Sequence, residues 1–262
     1  MLPDSKRNFI IYFSGQTVSN ITRRINGHGP GALTDLGKKQ ADLLGQKLTN
    51  ERFDYIYCSD LNRTKQTLEG ILAHQPEEER KKVTYTEELR EVKMDSIEDQ
   101  PLEIIEKIRS AGRFRFGKNA GTSDECLVDV FYRCSKFLDS LIQKFVNPKY
   151  KSGITQDNYI QLNDTDDVYS NKEIQELFDK GELTNKELLN TKMNKKILLV
   201  TDGRFIAELL YNLLYRMGKK VGHNWETSNT ALYCFKIYKP NDSKEDSIEI
   251  SIDVLNNTSH LL

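Results

Sequence analysis

The stretch that decides the fold is NFIIYFSGQTVSN, residues 8–20. Its short run of apolar and aromatic residues, from Phe9 to Phe13, predicts a buried β-strand. The strand stops at Ser14-Gly15-Gln16-Thr17, where Gly15 permits a tight turn and the close approach of a ligand to the backbone. Small polar residues just after a buried strand are the usual position of a ligand site in an α/β domain.

A second stretch near the other end of the chain, KILLVTDGRFIAELLYNLL from residue 196, repeats this arrangement. An apolar strand again ends in small and polar residues, Thr201-Asp202-Gly203, and a helical pattern follows from Gly203 to Met217. We expect the fold to be organised around these two strand ends.

The chain between and after these stretches alternates strand patterns with helix patterns. Strands are predicted at 53–59, 230–239 and 247–255, and a strand running into a loop at 83–91. Helices are predicted at 38–48, 60–72, 101–110 and 124–145. Ser59 or Asp60 is predicted to cap the second of these helices. The alternation predicts an α/β fold of three layers, with a mostly parallel sheet covered by helices on both faces.

The 262 residues suit one large α/β domain, and we predict a single domain over residues 1–262. The region at about 147–195 holds many Asn, Asp, Lys and Thr residues and few large apolar ones. It is therefore predicted to be a polar, mostly exposed insertion with one weak helix at 171–181.

Composition and charge narrow the class of function. The formal net charge is −1 without a long block of like charge, so no nucleic-acid partner is expected. No stretch approaches the roughly 20 apolar residues that span a bilayer, and the N-terminal residues lack an apolar signal core. The four cysteines are scattered, which predicts reduced, mostly buried thiols. We expect a cytoplasmic protein with no membrane partner, metal or other cofactor.

Several segments together resemble a known family. The first matching positions follow the first strand: Gly15, Thr17, Asn20 and, soon after, Gly27. Three further segments also match: LTDLGKKQA from residue 33, FDYIYCSDLNRTKQT from residue 53 and LRE from residue 89. This order is similar to that of the histidine phosphatase superfamily, which has the phosphoglycerate mutase-like fold. Within it, RTKQTLEGIL from residue 63 and LREVK from residue 89 most resemble the TIGAR-type fructose-2,6-bisphosphatases.

The resemblance implies a phosphohistidine site, but its central residues are changed here. Family members carry an arginine that binds phosphate and a histidine nucleophile where this chain has Phe13 and Ser14. A second histidine that grips the phosphoryl oxygens is replaced by Asp202. Glu91 stands at the position of the proton donor to the leaving group.

The remaining positions of the family's site are retained. Gly15, Asn20, Gly27 and Arg63 match substrate-binding positions, and Glu98 and Glu125 match other family positions. Phosphoryl transfer depends on a preorganised cationic cradle. The resemblance therefore implies the fold. Because Phe13 offers no hydrogen-bond donor and Asp202 offers a negative charge, we predict that the phosphohistidine mechanism is lost.

The residues leave several alternatives open. Ser14 is a nucleophile if Asp202 takes its proton, although the same carboxylate repels the substrate. Arg63 either lines the pocket or is a surface arginine paired with Asp60 or Glu69. Arg204 is positioned to neutralise Asp202.

Four other features have both a functional and a structural interpretation. Glu91 is also explained as a hydrogen-bonded loop residue. Glu125 is also explained as a negative charge that the helix dipole favours at the start of a helix. His28 lies in the glycine-rich loop and is expected to be solvent-exposed rather than a replacement nucleophile. The basic cluster Arg109, Arg113, Arg115 and Lys118 either guides anions or is a solvated loop.

Three hypotheses for function follow. In the first, the protein is a pseudo-phosphatase that binds a phosphorylated small molecule, such as a sugar bisphosphate, or a protein partner. In the second, it is an active fructose-2,6-bisphosphatase or sugar-phosphate phosphomonoesterase. In the third, it is a scaffold without a ligand.

Overall fold

The structure is a computed structural model that describes residues 7–110, 124–155, 196–219, 227–240 and 244–262. The strands are β1 (Arg7–Phe13), β2 (Tyr55–Ser59), β3 (Val83–Thr86), β4 (Lys196–Thr201), β5 (Leu232–Tyr238) and β6 (Glu249–Asn257). The helices are α1 (Val18–Thr22), α2 (Asp35–Lys47), α3 (Asn62–Leu72), α4 (Glu103–Ser110), α5 (Leu127–Phe145) and α6 (Gly203–Arg216). Short 3₁₀ turns occupy Glu77–Lys82, Glu87–Leu89 and Ser259–Leu261.

Within the described residues, the six strands form one sheet in the order β3-β2-β4-β1-β5-β6. Strands β1 to β4 are mutually parallel, and β5 pairs antiparallel with both β1 and β6. The two strands predicted to organise the fold, β1 and β4, are direct neighbours at the centre. The predicted α/β class with a mostly parallel sheet is confirmed.

Helices cover both faces of the sheet because successive strand residues point to opposite sides. Phe9 and Ile11 of β1 belong to one apolar cluster, which includes α5 and α6. Tyr12 belongs to the other cluster, with Leu44 of α2 and Leu68 of α3. The predicted three-layer arrangement is therefore present.

Helix α5 shows how the periodic pattern becomes packing. The residues that its periodic apolar pattern places on one face are all buried: Leu127, Val130, Phe131, Cys134, Phe137, Leu138, Leu141 and Phe145. All four cysteines are buried and unbridged, as predicted.

The predicted cap of α3 is wrong. The N-cap position is Leu61, which makes no side-chain cap hydrogen bond. Asp60 instead accepts two hydrogen bonds from Arg90, at 2.6 and 2.5 Å. The Asp60 carboxylate therefore forms a bidentate ion pair with Arg90, which is distant in the sequence, and does not cap the helix.

The start of the predicted insertion packs against the domain. Asn147 and Tyr150 are buried, and the Asn147 amide donates to the carbonyls of Glu245 and Ser247 at 3.0 and 3.1 Å. Residues 156–195, with the predicted weak helix, lie outside the described residues. The single-domain assignment stays a prediction.

Candidate functional site

The candidate site lies at the carboxyl ends of β1 and β4. Phe13 is in register with Thr201, so Ser14 and Asp202 leave neighbouring parallel strands at the same edge of the sheet. The Ser14 amide donates to the Thr201 carbonyl at 3.0 Å, which extends the strand pairing into the site. The side chain of Phe13 lies outside the described part of the structure.

Ser14, Arg63 and Asp202 form a closed group that we call the cradle. Their exposed fractions are 1%, 2% and 1%. Arg63 enters from the first turn of α3, and its Nε donates to Asp202 Oδ1 at 2.5 Å. Its Nη2 donates to the Gly27 carbonyl at 2.9 Å. The guanidinium is therefore held inside the protein by a carboxylate and a backbone carbonyl.

The negative charge of the buried Asp202 carboxylate is only partly compensated. Burial raises the pKa of this carboxyl, and the nearby charge of Arg63 lowers it. Its Oδ2 atom is buried and has no hydrogen-bond partner among the described residues, and the Ser14 side chain also lowers the pKa of this carboxyl. The cradle already holds a negative charge where a phosphoryl group would need positive charge.

Ser14 is fixed as well as buried. Its carbonyl accepts hydrogen bonds from the Thr230 amide at 3.3 Å and the Asn229 side chain at 3.1 Å. The next residue, Gly15, donates its amide to Thr67 Oγ1 at 3.0 Å. A Cβ on Gly15 would lie 2.6 Å from the Gly37 carbonyl oxygen, so the turn requires glycine here.

Glu91 lies beside the cradle. Its Oε1 accepts the Val92 amide at 2.8 Å, and its Oε2 accepts the Arg204 amide at the start of α6 at 3.1 Å. Burial raises the pKa of the Glu91 carboxyl, and the negative charge of Asp202 raises it further. An acid with a raised pKa is suited to carry a proton near neutral pH.

A cleft opens next to Glu91. Its volume is about 450 Å³. The polar side chains that line it belong to Asn20, Arg24, Asn26, Glu91, Arg204 and Thr227. Apolar side chains of Ile25, Val92, Met94, Leu102 and Ile105 also line it. We call this opening the cleft; Ser14, Arg63 and Asp202 are not among the residues that line it.

The predicted site residues thus divide into two sets. Asn20, Gly27 and Glu91 line the cleft, whereas Arg63 is buried behind it. Asn20 also completes a capping box at the start of α1, because its Oδ1 accepts the Thr17 amide at 2.8 Å. Arg24 was not predicted from the sequence to be a site residue. Only its position between α1 and Gly27 indicated that it could lie near the site.

The alternative interpretations of the charged residues are resolved by their partners. Arg63 pairs with Asp202 rather than with Asp60 or Glu69. Arg80 pairs with Glu69, at 2.6 Å. Glu125 accepts two hydrogen bonds from Arg133, at 3.0 and 2.8 Å, and so is part of a side-chain network.

His28 differs from its expected exposure. It is half-buried, and its amide donates to Glu98 Oε1 at 2.5 Å. Its Nε2 lies 2.8 Å from the Glu91 carbonyl oxygen. The glycine-rich loop is therefore tied to the Glu91 segment. Arg113, Arg115 and Lys118 of the basic cluster, and the side chain of Arg109, lie outside the described residues.

Two kinds of feature are absent from the described part of the chain. Within those residues, no group of three or more His, Cys, Asp or Glu side chains is arranged to hold a metal ion. None of the described helices combines the length and apolar character needed to cross a bilayer.

The sequence matches a family model, that of the histidine phosphatase superfamily (branch 1), over residues 14–149. Since the match covers just over half of the chain, the protein belongs to the histidine phosphatase superfamily.

Curated relatives include fructose-2,6-bisphosphatase TIGAR of Xenopus tropicalis, 31% identical over 48% of this chain and 46% of that protein. TIGAR of Mus musculus is 32% identical over 49% of this chain and 48% of its own length. Probable phosphoglycerate mutase GpmB of Yersinia enterocolitica is 37% identical over 35% of this chain and 40% of that protein. The aligned part of the chain thus spans less than half of each of these relatives.

Solved structures extend the likeness of fold to nearly the whole chain. A mutant phosphoserine phosphatase of Entamoeba histolytica, in complex with phosphoserine, has a TM-score of 0.63 at 18% identity, covering 98% of this chain and 100% of its own. A mycobacterial glucosyl-3-phosphoglycerate phosphatase has a TM-score of 0.62 at 19% identity, covering 96% and 99%. The fold is phosphoglycerate mutase-like.

Proposed function

We propose that this chain is a TIGAR-like, cytoplasmic pseudo-phosphatase that acts by binding a phosphorylated metabolite, or a protein partner, without turnover. The observation that carries the proposal is the buried ion pair between Arg63 and Asp202, at 2.5 Å with side chains 2% and 1% exposed. A phosphoryl group in the cradle has to displace Asp202 from Arg63 and leave a buried carboxylate unpaired.

The energetics favour the internal pair over an external anion. Breaking a buried pair by removing one partner typically costs about 3–5 kcal/mol. Repulsion between Asp202 and each unit of phosphoryl charge at about 4 Å adds on the order of 4 kcal/mol at an effective dielectric of about 20. Removal of a preorganised donor alone typically lowers the rate by about 10²–10³-fold. These changes act on one site and do not simply add.

The cleft supports a binding role, because it remains open beside the closed cradle. The cleft of about 450 Å³ has the size of a small-molecule site and keeps Asn20 and Glu91 at its surface. Residual binding is therefore compatible with a closed cradle, because the two do not share their lining.

The alternative is an active fructose-2,6-bisphosphatase or other sugar-phosphate phosphomonoesterase. One observation favours it: Glu91 is retained beside the cleft with a raised pKa, as a proton donor requires. In this alternative Ser14 is the nucleophile and Asp202 its base. Burial of Ser14 to 1% exposure argues against attack on an external phosphorus. In the third hypothesis, a scaffold, the cleft has no ligand.

A hydrolysis assay tests the proposal. We expect the purified protein to release no phosphate above background from fructose 2,6-bisphosphate or from an aryl phosphate, because the cradle lacks a free nucleophile and a free cation. Phosphate release is measured by a colorimetric assay, with Ser14→Ala and Glu91→Gln as matched variants. Turnover that disappears in either variant establishes the enzymatic alternative and refutes the pseudo-phosphatase.

A further inference from the structure

Helix α1 exposes apolar side chains to solvent. None of its five residues is buried, and Val18 and Ile21 are 53% and 61% exposed. These two side chains lie on one face of the helix, because residues three positions apart are neighbours on a helix surface. A helix this short is marginal by itself and usually depends on the packing of an apolar face. The apolar face of α1 is nevertheless exposed instead of buried in the core.

Two further exposed apolar side chains lie on the segments that border α1. Leu36, at the start of α2, is 51% exposed, and Leu102, just before α4, is 45% exposed. The Val18 amide donates to the Ala32 carbonyl at 3.2 Å, which places the segment before α2 beside the start of α1. The Leu102 amide donates to the Arg23 carbonyl at 2.8 Å, which places Leu102 beside the end of α1.

Four of the six exposed large apolar side chains in the described residues therefore lie on three adjoining segments, with α1 between the other two. We call these four side chains the apolar patch: Val18, Ile21, Leu36 and Leu102. Scattered single apolar residues are normal on a protein surface, whereas a cluster with a polar rim is typical of an interaction surface.

Three exposed ion pairs lie on the same segments as the apolar patch. Each contributes one positive and one negative charge: Arg23 with Glu103, Arg24 with Asp99, and Lys38 with Asp35. Their N···O distances are 3.7, 3.6 and 3.1 Å, and every one of the six side chains is at least 46% exposed. Ion pairs this exposed are weak, so their charges can exchange partners when another surface arrives.

The balance of charge indicates which partner suits this surface. In a two-fold symmetric dimer the same patch of each subunit faces its own copy. A rim that carries both signs in equal number can complement itself in this arrangement, whereas a rim of one sign repels itself. A nucleic acid, or a peptide of one charge, is matched by a rim of the opposite sign and not by a balanced one.

We propose that the apolar patch is an interface through which two copies of this chain associate around a two-fold axis. The charged residues beside it then form ion pairs between the subunits. Since the patch holds four large apolar side chains, we expect a weak and reversible dimer, with a Kd of about 1–100 µM. This inference is independent of the proposed function, because Ser14, Arg63 and Asp202 of the cradle do not take part.

Sedimentation velocity of the full chain tests the proposal at protein concentrations from about 1 to 300 µM, where we expect a shift from monomer to dimer. Val18→Glu and Ile21→Glu should each raise the Kd of the dimer at least about tenfold, because each places an unpaired carboxylate in the apolar contact. Leu262→Glu is the matched control: it makes the same kind of change at an exposed residue outside the apolar patch and should have no effect. Circular dichroism shows that each variant is folded.

Two charge-reversal variants test whether the surface complements itself. Arg24→Glu/Lys38→Glu makes the rim mostly negative, and Asp35→Lys/Glu103→Lys makes it mostly positive. Each variant alone should remain monomeric, because like charges then face each other across the two-fold axis. An equimolar mixture of the two should dimerise again, because opposite rims then meet.

The opposite results refute the inference. A wild-type protein that stays monomeric over the whole concentration range does not use this surface for a second copy. A dimer that persists unchanged in both Val18→Glu and Ile21→Glu has its interface elsewhere. A mixture of the two charge-reversal variants that stays monomeric contradicts self-complementarity. None of these results alters the phosphate-release assay, so failure of the dimer and failure of the pseudo-phosphatase are separate outcomes.

Discussion

The cradle and the cleft lie side by side at one edge of the sheet and use their charges in opposite ways. In the cradle, Arg63 and Asp202 neutralise each other away from solvent, with side chains 2% and 1% exposed. In the cleft, the Arg24 side chain is 46% exposed and is bound at the surface by Asp99, through its carboxylate and its backbone carbonyl. The difference teaches that an arginine at a family binding position recognises an external anion only if no internal carboxylate has already taken it.

The comparison predicts that charges in the cradle determine stability, whereas charges in the cleft determine binding. The largest expected effect is on Arg63. Arg63→Met leaves Asp202 buried without its counter-ion and should lower the free energy of unfolding by about 3–5 kcal/mol. Urea denaturation followed by circular dichroism measures this change.

Two further variants control for this prediction. Arg80→Met breaks a pair with Glu69 that is 36% and 54% exposed, so it should cost less than about 1 kcal/mol. The double variant Arg63→Met/Asp202→Leu removes both buried charges and should recover much of the loss. If Arg63→Met costs no more than Arg80→Met, the cradle is not held together by its ion pair.

The next effect is on the pH dependence of stability. Glu91 and Asp202 both have pKa values raised above their ordinary values of 4.5 and 3.8, mainly by burial. The native state therefore keeps protons that the unfolded chain has released. The free energy of unfolding therefore falls as the pH rises from the ordinary pKa values of these groups through their raised values. Each proton kept in the native state contributes a fall of at most about 1.4 kcal/mol per pH unit.

Glu91→Gln tests this effect. The fall in unfolding free energy with rising pH should be smaller in the variant than in the wild type, because one of the two titrating groups is gone. Denaturation curves at intervals between about pH 4.5 and 8 give the slope. Glu78→Gln, at an exposed position, is the matched control and should leave the slope unchanged. Identical slopes for Glu91→Gln and wild type would show that Glu91 does not retain its proton in the native state.

The smallest expected effect on stability is at Arg24. Because its pair with Asp99 is exposed to 46% and 85%, Arg24→Gln should change the free energy of unfolding by less than about 1 kcal/mol. Thermal and urea denaturation measure this change. A loss above about 2 kcal/mol would mean that Arg24 is structural like Arg63, and the contrast between cradle and cleft would disappear.

Much of the fold could be predicted from local pattern. The apolar runs of β1 and β4 and the periodic inward face of α5 depend on burial within one element, which the order of residues records. The family frame of Gly15, Asn20 and Gly27 also identified residues at the site, two of which line the cleft. Helix α1 was not predicted, since its five residues are too few for a periodic signal.

The partners of charged residues were less predictable. Asp60 was expected at a helix cap and pairs with Arg90, and His28 was expected in solvent and contacts the Glu91 segment. In both cases, the partner lies 30 or more positions away along the chain. Local spacing holds no information about such contacts.

By itself, the sequence determined the layered fold and the changed residues at the strand ends, because burial patterns and residue identities are local properties. Only the tertiary structure decided what the changes do. Arg63 and Asp202 are 139 positions apart, and they meet because the parallel pairing of β2 with β4 brings the following segments to one edge of the sheet. Once they meet in a buried place, mutual neutralisation is the lowest-energy use of both charges, and the cradle is closed.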